Sequence, residues 1–353
     1  MQVATYGELV GKRLLHSVVN ANGMMLLPVD TILSESHVEK LERFKIDIFD
    51  IQVESPDRER SRARITDKAR SAKSAETIEL VKRTDATLHE IEAHLHAKGS
   101  LSLPEIEQSL LPAIVEATKN RSIYKFFSEL KEEGDFRFKH SIGVAYIATM
   151  IGSWMKLDEA ELSLLTTAAS LCDIGSMKLP SELLHKTAGF EPDEYELVQK
   201  HPEIGYALLK DSELDPRISL VALQHHERED GSGYPAQLTG DQIDPLSKIV
   251  AIADVYMAMT SDRPQRLSLP FYQVIDELYN EIVRNRFDSS IGMTFLNRLM
   301  SAQVGSDIIL SDGRLGRIVL INANYPASPL VEAEGEFIDL SKTNRVKIAE
   351  ILG

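Results

Sequence analysis

Cysteine is almost absent from this 353-residue chain. The single Cys172 excludes an intrachain disulfide and fits a reducing compartment. Positive charge is in deficit: 39 Lys and Arg stand against 54 Asp and Glu, a net charge of −15. Such an excess repels phosphate backbones, so DNA is not an expected partner, although a local basic pocket stays compatible with it. Long apolar runs are missing as well. The longest uncharged windows, Leu14–Val29 and His140–Met155, have 16 residues each, short of the roughly 20 apolar residues that span a bilayer. No basic stretch leading into an apolar run and a small-residue cleavage site is visible, so the expected location is cytoplasmic. There is no internal repeat and no low-complexity tract. What remains is ordinary globular composition, 43% hydrophobic and 26% charged.

At roughly 150 residues per domain the length predicts two or three folding units. Residues 1–53 read as a small α+β module. Apolar clusters at Val18-Val19 and Met24 to Leu27 flank an Asn22-Gly23 step suited to a hairpin turn. Ser36 with Glu39 then forms a capping box ahead of Val38, Leu41 and Phe44. Residues 54–133 read as linker and connecting helices, charged at first, then with Ile78, Val81, Leu88, Ile91 and Leu95 near helical spacing. Residues 134–303 carry successive helical patterns with short breaks and predict an all-α domain. Residues 304–353 change to short strands around Ile308 to Leu310, Ile318 to Ile321, Leu330-Val331 and Glu336 to Leu340, a β-rich appendage. The fold class is therefore mainly α.

Among the ten histidines, those on faces due for burial carry the information. His140 shares a helix face with Val144, Ile147, Ile151 and Trp154. Cys172 follows Leu165 and Ala169 on one face, and Asp173 comes next, beside Gly175. His201 precedes Pro202 at a helix break, and His225 and His226 end an apolar helix. Asp254 lies within IVAIADVYMAM, where a carboxylate is costly unless a cation or donor compensates it. Each alone is more often a hydrogen-bonded structural group. Together, His140, Cys172, Asp173, His201, His225, His226 and Asp254 suggest a metal site built inside a helical bundle.

Read whole, the strings become specific. HHEREDGSGYP at 225–235, CDIGSMKLP at 172–180 and DVYMAMTSDRPQR at 254–266 resemble the HD-GYP family of bacterial phosphodiesterases. The likeness continues through KHSIGVA around His140 and HKTAGFEPDEYELVQKHPEIGYALL at 185–209. It implies a helical bundle that holds divalent ions, iron or manganese, and hydrolyses cyclic di-GMP. It further implies that His140, Asp173 and Asp254 bind one metal, and that Asp173 bridges to a second held by His201, His225 and His226. Gly233, Tyr234 and Pro235 would border the nucleotide pocket, while Arg263 and Arg266 would hold its phosphates through their fixed fork of donors.

The chain departs from the family at several positions. Cys172 replaces the His of the HD pair, Ser176 replaces a Lys, Met257 replaces a second Asp, and Phe136 replaces a Glu found in members with a third metal. One or two ions are therefore expected, not three. A Cys172 thiolate would favour zinc; without metal it is a small buried hydrophobe. Ser176 carries no charge with which to neutralise a phosphate. Two function classes follow. One is a metal-dependent cyclic di-GMP phosphodiesterase with impaired or altered catalysis, Asp173 being its central catalytic residue. The other is a catalytically silent sensor of cyclic di-GMP, or a related cyclic dinucleotide, or of metal. Whether two copies pair as a homodimer stays open.

Overall fold

The computed structural model describes residues 9–14, 18–19, 25–27, 31–43 and 53–54, part of 86–97, and 136–352 apart from 185, 187–188, 262–267 and 344. Contacts divide the chain into two units. One comprises residues 1–72, 304–320 and 329–353, and the other residues 73–303 and 321–328. Segments remote in sequence thus share the first unit, an organisation that local composition does not encode.

In the first unit, β1 (Arg13–Leu14) pairs with β4 (Val53–Glu54), and β2 (Val18–Val19) with β3 (Met25–Leu27), each antiparallel. The Asn22-Gly23 step lies outside the described residues. Helix α1 (Glu35–Arg43) places Val38 and Leu41 in a small core with Leu9, Leu14, Leu27 and Leu33. Its start differs from the expected Ser36–Glu39 box. Ser34 Oγ accepts from the His37 N–H at 3.4 Å, and His37 Nδ1 accepts from the Ser34 N–H at 3.3 Å. The reciprocal cap forms two residues earlier because His37 takes the role expected of Glu39.

The C-terminal strands form one antiparallel sheet in the order β8-β7-β6-β5-β9. They are β5 (Asp307–Leu310), β6 (Leu315–Asn322), β7 (Tyr325–Ala333), β8 (Glu336–Asp339) and β9 (Ile348–Ile351). β9 went unread in the sequence. It adds to the edge of β5, with Ile308 opposite Ile351.

The helical unit holds the large core. Besides helical residues among 86–97, its described helices are α2 (Phe136–Trp154), α3 (Glu159–Leu171), α4 (Ser181–Leu184), α5 (Pro192–Val198), α6 (His201–Leu209), α7 (Pro216–Gln224), α8 (Pro245–Thr260), α9 (Phe271–Val283) and α10 (Ser289–Ser301). Local chemistry sets their starts. Asp158, Asp215, Asp244 and Asp288 each accept a backbone N–H from the first turn that follows, and Pro216 and Pro245 stand where a helix needs no donor. Helix α2 packs on α3 and α8, burying Val144, Ile147 and Ile151. At the α2–α8 crossing, a Cβ on Gly143 would lie 2.2 Å from Met257 Cε. Met257 therefore serves packing where the sequence resemblance implies a carboxylate.

A second close approach positions the chemistry. After α3, residues Ile174–Lys178 form a 3₁₀ turn that lies on α6. A Cβ at Gly175 would come within 2.0 Å of the His201 carbonyl oxygen and 2.5 Å of the Gly205 nitrogen. Only glycine permits that distance, and it brings Asp173 against His201. Among the described residues no helix is long and apolar enough to cross a membrane. For Gly175→Ala we expect a loss of about 1–3 kcal/mol in urea unfolding, because two backbones must separate. Wild-type stability would show that the turn can leave α6 without cost.

Candidate metal centre

Five segments of the helical unit converge on one patch. His140 comes from the first turns of α2, Asp173 from the junction after α3, His201 from the start of α6, His225 and His226 from the end of α7, and Asp254 from the middle of α8. Asp173 is the hub. Its Oδ1 lies 3.2 Å from His201 Nε2 and 3.4 Å from His225 Nε2, and its Oδ2 lies 3.6 Å from His140 Nε2. His140 Nε2 also meets Asp254 Oδ1 at 2.8 Å, and His226 Nδ1 lies 3.6 Å from Asp254 Oδ2. Two ligand groups result, Asp173 with His201, His225 and His226, and Asp173 with His140 and Asp254. Within each, the donor atoms lie within 4.8 Å of one another.

Hydrogen bonds behind the rings fix which atoms face inward. His201 Nδ1 donates to the Val198 carbonyl at 2.7 Å, and His225 Nδ1 donates to the Ala222 carbonyl at 3.0 Å. With those protons committed, both Nε2 atoms present lone pairs to the centre when the rings are neutral. Yet these Nε2 atoms are 3.3 Å apart, and His226 Nε2 is 3.1 Å from His201 Nε2. Lone pairs facing one another and a carboxylate repel unless a proton or a metal cation stands between them. This donor set therefore fits a divalent ion, and the carboxylate shared by both groups fits a pair of ions.

The titration behaviour follows the same geometry. Burial pushes Asp173 up, but hydrogen bonds and charge from His201 and His225 outweigh it and hold the carboxyl well below its usual range. Burial likewise opposes ionisation of Asp254, and His140 overcomes it, so that group too is depressed. His225 loses affinity for its proton through burial but regains more from Asp173, for a net upward shift. Burial and the neighbouring His225 drive His226 well below its ordinary value.

Cys172, expected among the ligands, belongs to neither group. It ends the buried face of α3 begun by Leu165 and Ala169, all three fully buried, which is the small buried hydrophobe that the sequence offered as its other reading. Burial, together with the charges of Asp173 and Asp254, pushes its thiol well above the ordinary value. Arg263 and Arg266 lie outside the described residues. Tyr234 stacks on His226 with ring centroids 4.7 Å apart. Burial and the Asp254 charge keep its hydroxyl protonated far above the usual range. At Gly233 a Cβ would meet backbone atoms of 226–228 at 2.5 Å, so the loop can fold back only with glycine there. Gly233 and Pro235 shape that loop; Tyr234 faces the cavity.

The cavity has a volume of about 440 Å³, within the usual range for small-ligand sites. His140, Asp173, His201, His226, Asp254, Arg137, Arg228 and Ser176 contribute its polar lining. Two residues overlooked in the sequence hold its rim. Buried Glu227 accepts from the Ala236 N–H at 2.7 Å and the Leu238 N–H at 3.0 Å, fastening the loop behind Tyr234. Arg228 donates to the Glu227 carbonyl at 2.8 Å and lies 4.9 Å above the Phe287 ring. A carboxylate directly after two inward histidines was the available signal for Glu227.

Comparison with known proteins identifies the family. The model of the HD domain matches residues 71–291. The chain belongs to the HD-domain family. This HD-domain chain is 31% identical over 204 residues to a cyclic di-GMP phosphodiesterase of Pseudomonas aeruginosa, covering 58% of this chain and 49% of that protein. It is 28% identical over 226 residues to a cyclic di-GMP phosphodiesterase of Borreliella burgdorferi, covering 63% and 59%. A 3′3′-cGAMP-specific phosphodiesterase of Vibrio cholerae is 34% identical over 159 residues, covering 45% and 37%. The chain thus spans about half the length of the curated relatives it matches. The solved structure of an HDG"Y"P protein from Bdellovibrio bacteriovorus shares the fold, with a TM-score of 0.50, 17% identity, and coverage of 85% of this chain and 98% of that one. The HD-GYP resemblance and the mainly α fold expected from sequence are both borne out.

Without metal, the raised affinity of His225 for its proton leaves that proton bound below its shifted pKa, where it competes with a cation. Manganese affinity should therefore fall as pH drops from about 8 to about 6, with protons released on binding. Calorimetry in buffers of different ionisation enthalpy counts those protons. Uptake without proton release across that window would contradict the convergent lone pairs.

Proposed function

We propose that this chain is a divalent-metal-dependent phosphodiesterase of cyclic di-GMP or a related cyclic dinucleotide, with turnover slowed at its own active site. The observation that carries the reading is the Asp173 carboxylate shared between two ligand groups on the floor of the cavity. The names of the curated relatives support the same substrate class.

His201 and His225, with their Nδ1 protons committed to backbone carbonyls, hold their Nε2 atoms ready for a cation, and Asp173 joins the two positions. Divalent ions bound there would supply Lewis-acid polarisation of a phosphoryl oxygen and a water acidic enough to attack phosphorus. The Tyr234 hydroxyl, kept protonated, donates to an oxygen of the ligand. Arg263 and Arg266 keep the phosphate-holding role that the family resemblance gives them.

Two features slow the reaction. Ser176 lines the cavity with a neutral hydroxyl where the family carries an ammonium group, so less charge opposes the developing negative charge on the phosphate. With Cys172 outside both groups, His140, Asp173 and Asp254 form a three-donor set beside the four-donor set. These same features favour a second reading, a silent cyclic-dinucleotide or metal sensor, if turnover falls to nothing.

Hydrolysis of cyclic di-GMP, followed chromatographically with manganese, iron or zinc supplied, separates the two. We expect slow turnover that rises about 100-fold in Ser176→Lys, the usual scale for one electrostatic donor. Cys172→Ala should leave metal content unchanged. No turnover in either form would favour the sensor, and lost metal in Cys172→Ala would return the thiol to the ligand set.

A further inference from the structure

The cavity has a second wall of different chemistry. Besides the carboxylates and imidazoles, Leu179, Leu183, Phe190, Tyr195 and Val198 line the same cavity. Phe190 is 38% exposed and Tyr195 49% exposed, an unusual state for two large rings on one short segment. Helix α5, which carries Tyr195, has no buried residue. Polar bonds fix it instead of core packing: Glu194 accepts from the Glu191 N–H at 2.7 Å and also pairs with Lys186. The same helix ends at Val198, whose carbonyl receives the His201 Nδ1 proton. The aromatic wall is thereby tied to the orientation of a candidate metal ligand. Both rings stay partly open to solvent and line the cavity that holds Asp173 and His201.

A ligand that satisfies both walls must join a phosphate to a flat, weakly hydrated ring system. Aliphatic walls alone would suit an acyl chain, whereas two exposed aromatic rings favour stacking with a planar base. We infer that Phe190 and Tyr195 form a nucleobase platform that positions one purine of the ligand while its phosphate meets the Asp173 floor, a step that rests on the phosphodiesterase reading. Neither residue belongs to the ion-binding groups, so both act on binding and specificity.

The test compares guanosine 5′-monophosphate with ribose 5-phosphate, which has the same sugar and phosphate but no base, on the manganese-loaded full chain by calorimetry. Wild type should bind the nucleotide at least about tenfold more tightly, the scale of one stacked base. Tyr195→Ala and Phe190→Ala should each remove most of that difference, Tyr195→Phe should keep it, and ribose 5-phosphate should bind all four proteins alike. Both alanine variants change exposed positions, and thermal unfolding verifies that they stay folded. Equal affinities for the two probes in wild type would overturn the platform, as would parallel losses of both probes in the variants. If neither probe binds wild type, the platform and the phosphodiesterase reading fall together. Base-dependent, Tyr195-dependent binding without cyclic di-GMP hydrolysis, even in Ser176→Lys, would keep the platform and remove the phosphodiesterase.

Discussion

The metal centre depends on imidazole nitrogens that converge on one carboxylate, Asp173. His201 and His225 commit their Nδ1 protons to backbone carbonyls, so in the neutral form each turns an Nε2 lone pair toward Asp173 Oδ1, at 3.2 and 3.4 Å. Buried atoms of that kind are unfavourable neighbours unless a positive centre lies among them. A proton can play that part, and the upward shift of His225 is its signature. A divalent cation plays it better, because several donors share one charge centre at once.

The rest of the helical unit holds that cluster at short range. Three of its contributing segments are helix ends, which lets the side chains of Asp173, His201, His225 and His226 enter from different directions without bending a helix. The price falls on glycine. Gly175 brings the turn carrying Asp173 onto α6, and Gly233 lets the following loop fold over His226 so that Tyr234 stacks there. Buried Glu227 then closes the loop with two backbone hydrogen bonds. These parts act as one device, since displacing the loop would expose His226 and displacing the turn would remove the shared carboxylate.

Much of this was readable from the chain itself. Helical spacing placed His140 on the same face as Val144, Ile147 and Ile151, and the His201-Pro202 step marked a true helix start. The seven inward candidates contained all six residues that the structure gathers. Cys172 stands in neither ligand group, and sequence shows only that it neighbours Asp173. Helical geometry turns the two side chains in different directions, one into the core and one into the cavity. Contacts between remote segments left weaker traces. Glu227 gains its role from the N–H groups of Ala236 and Leu238, and Phe190 and Tyr195 gain theirs from a floor built by other helices. The cap at Ser34 was missed for a smaller reason, since His37 can accept a hydrogen bond as Glu39 would.

The most direct test of the central claim is anomalous diffraction from crystals of the anaerobically purified, manganese-loaded chain, compared with Asp173→Asn. The account predicts two anomalous peaks on either side of the Asp173 carboxylate, one against His201, His225 and His226 and the other against His140 and Asp254, with occupancy at both falling in the variant. Absence of metal at these residues, or two peaks unchanged by Asp173→Asn, would contradict a shared carboxylate as the centre of this site.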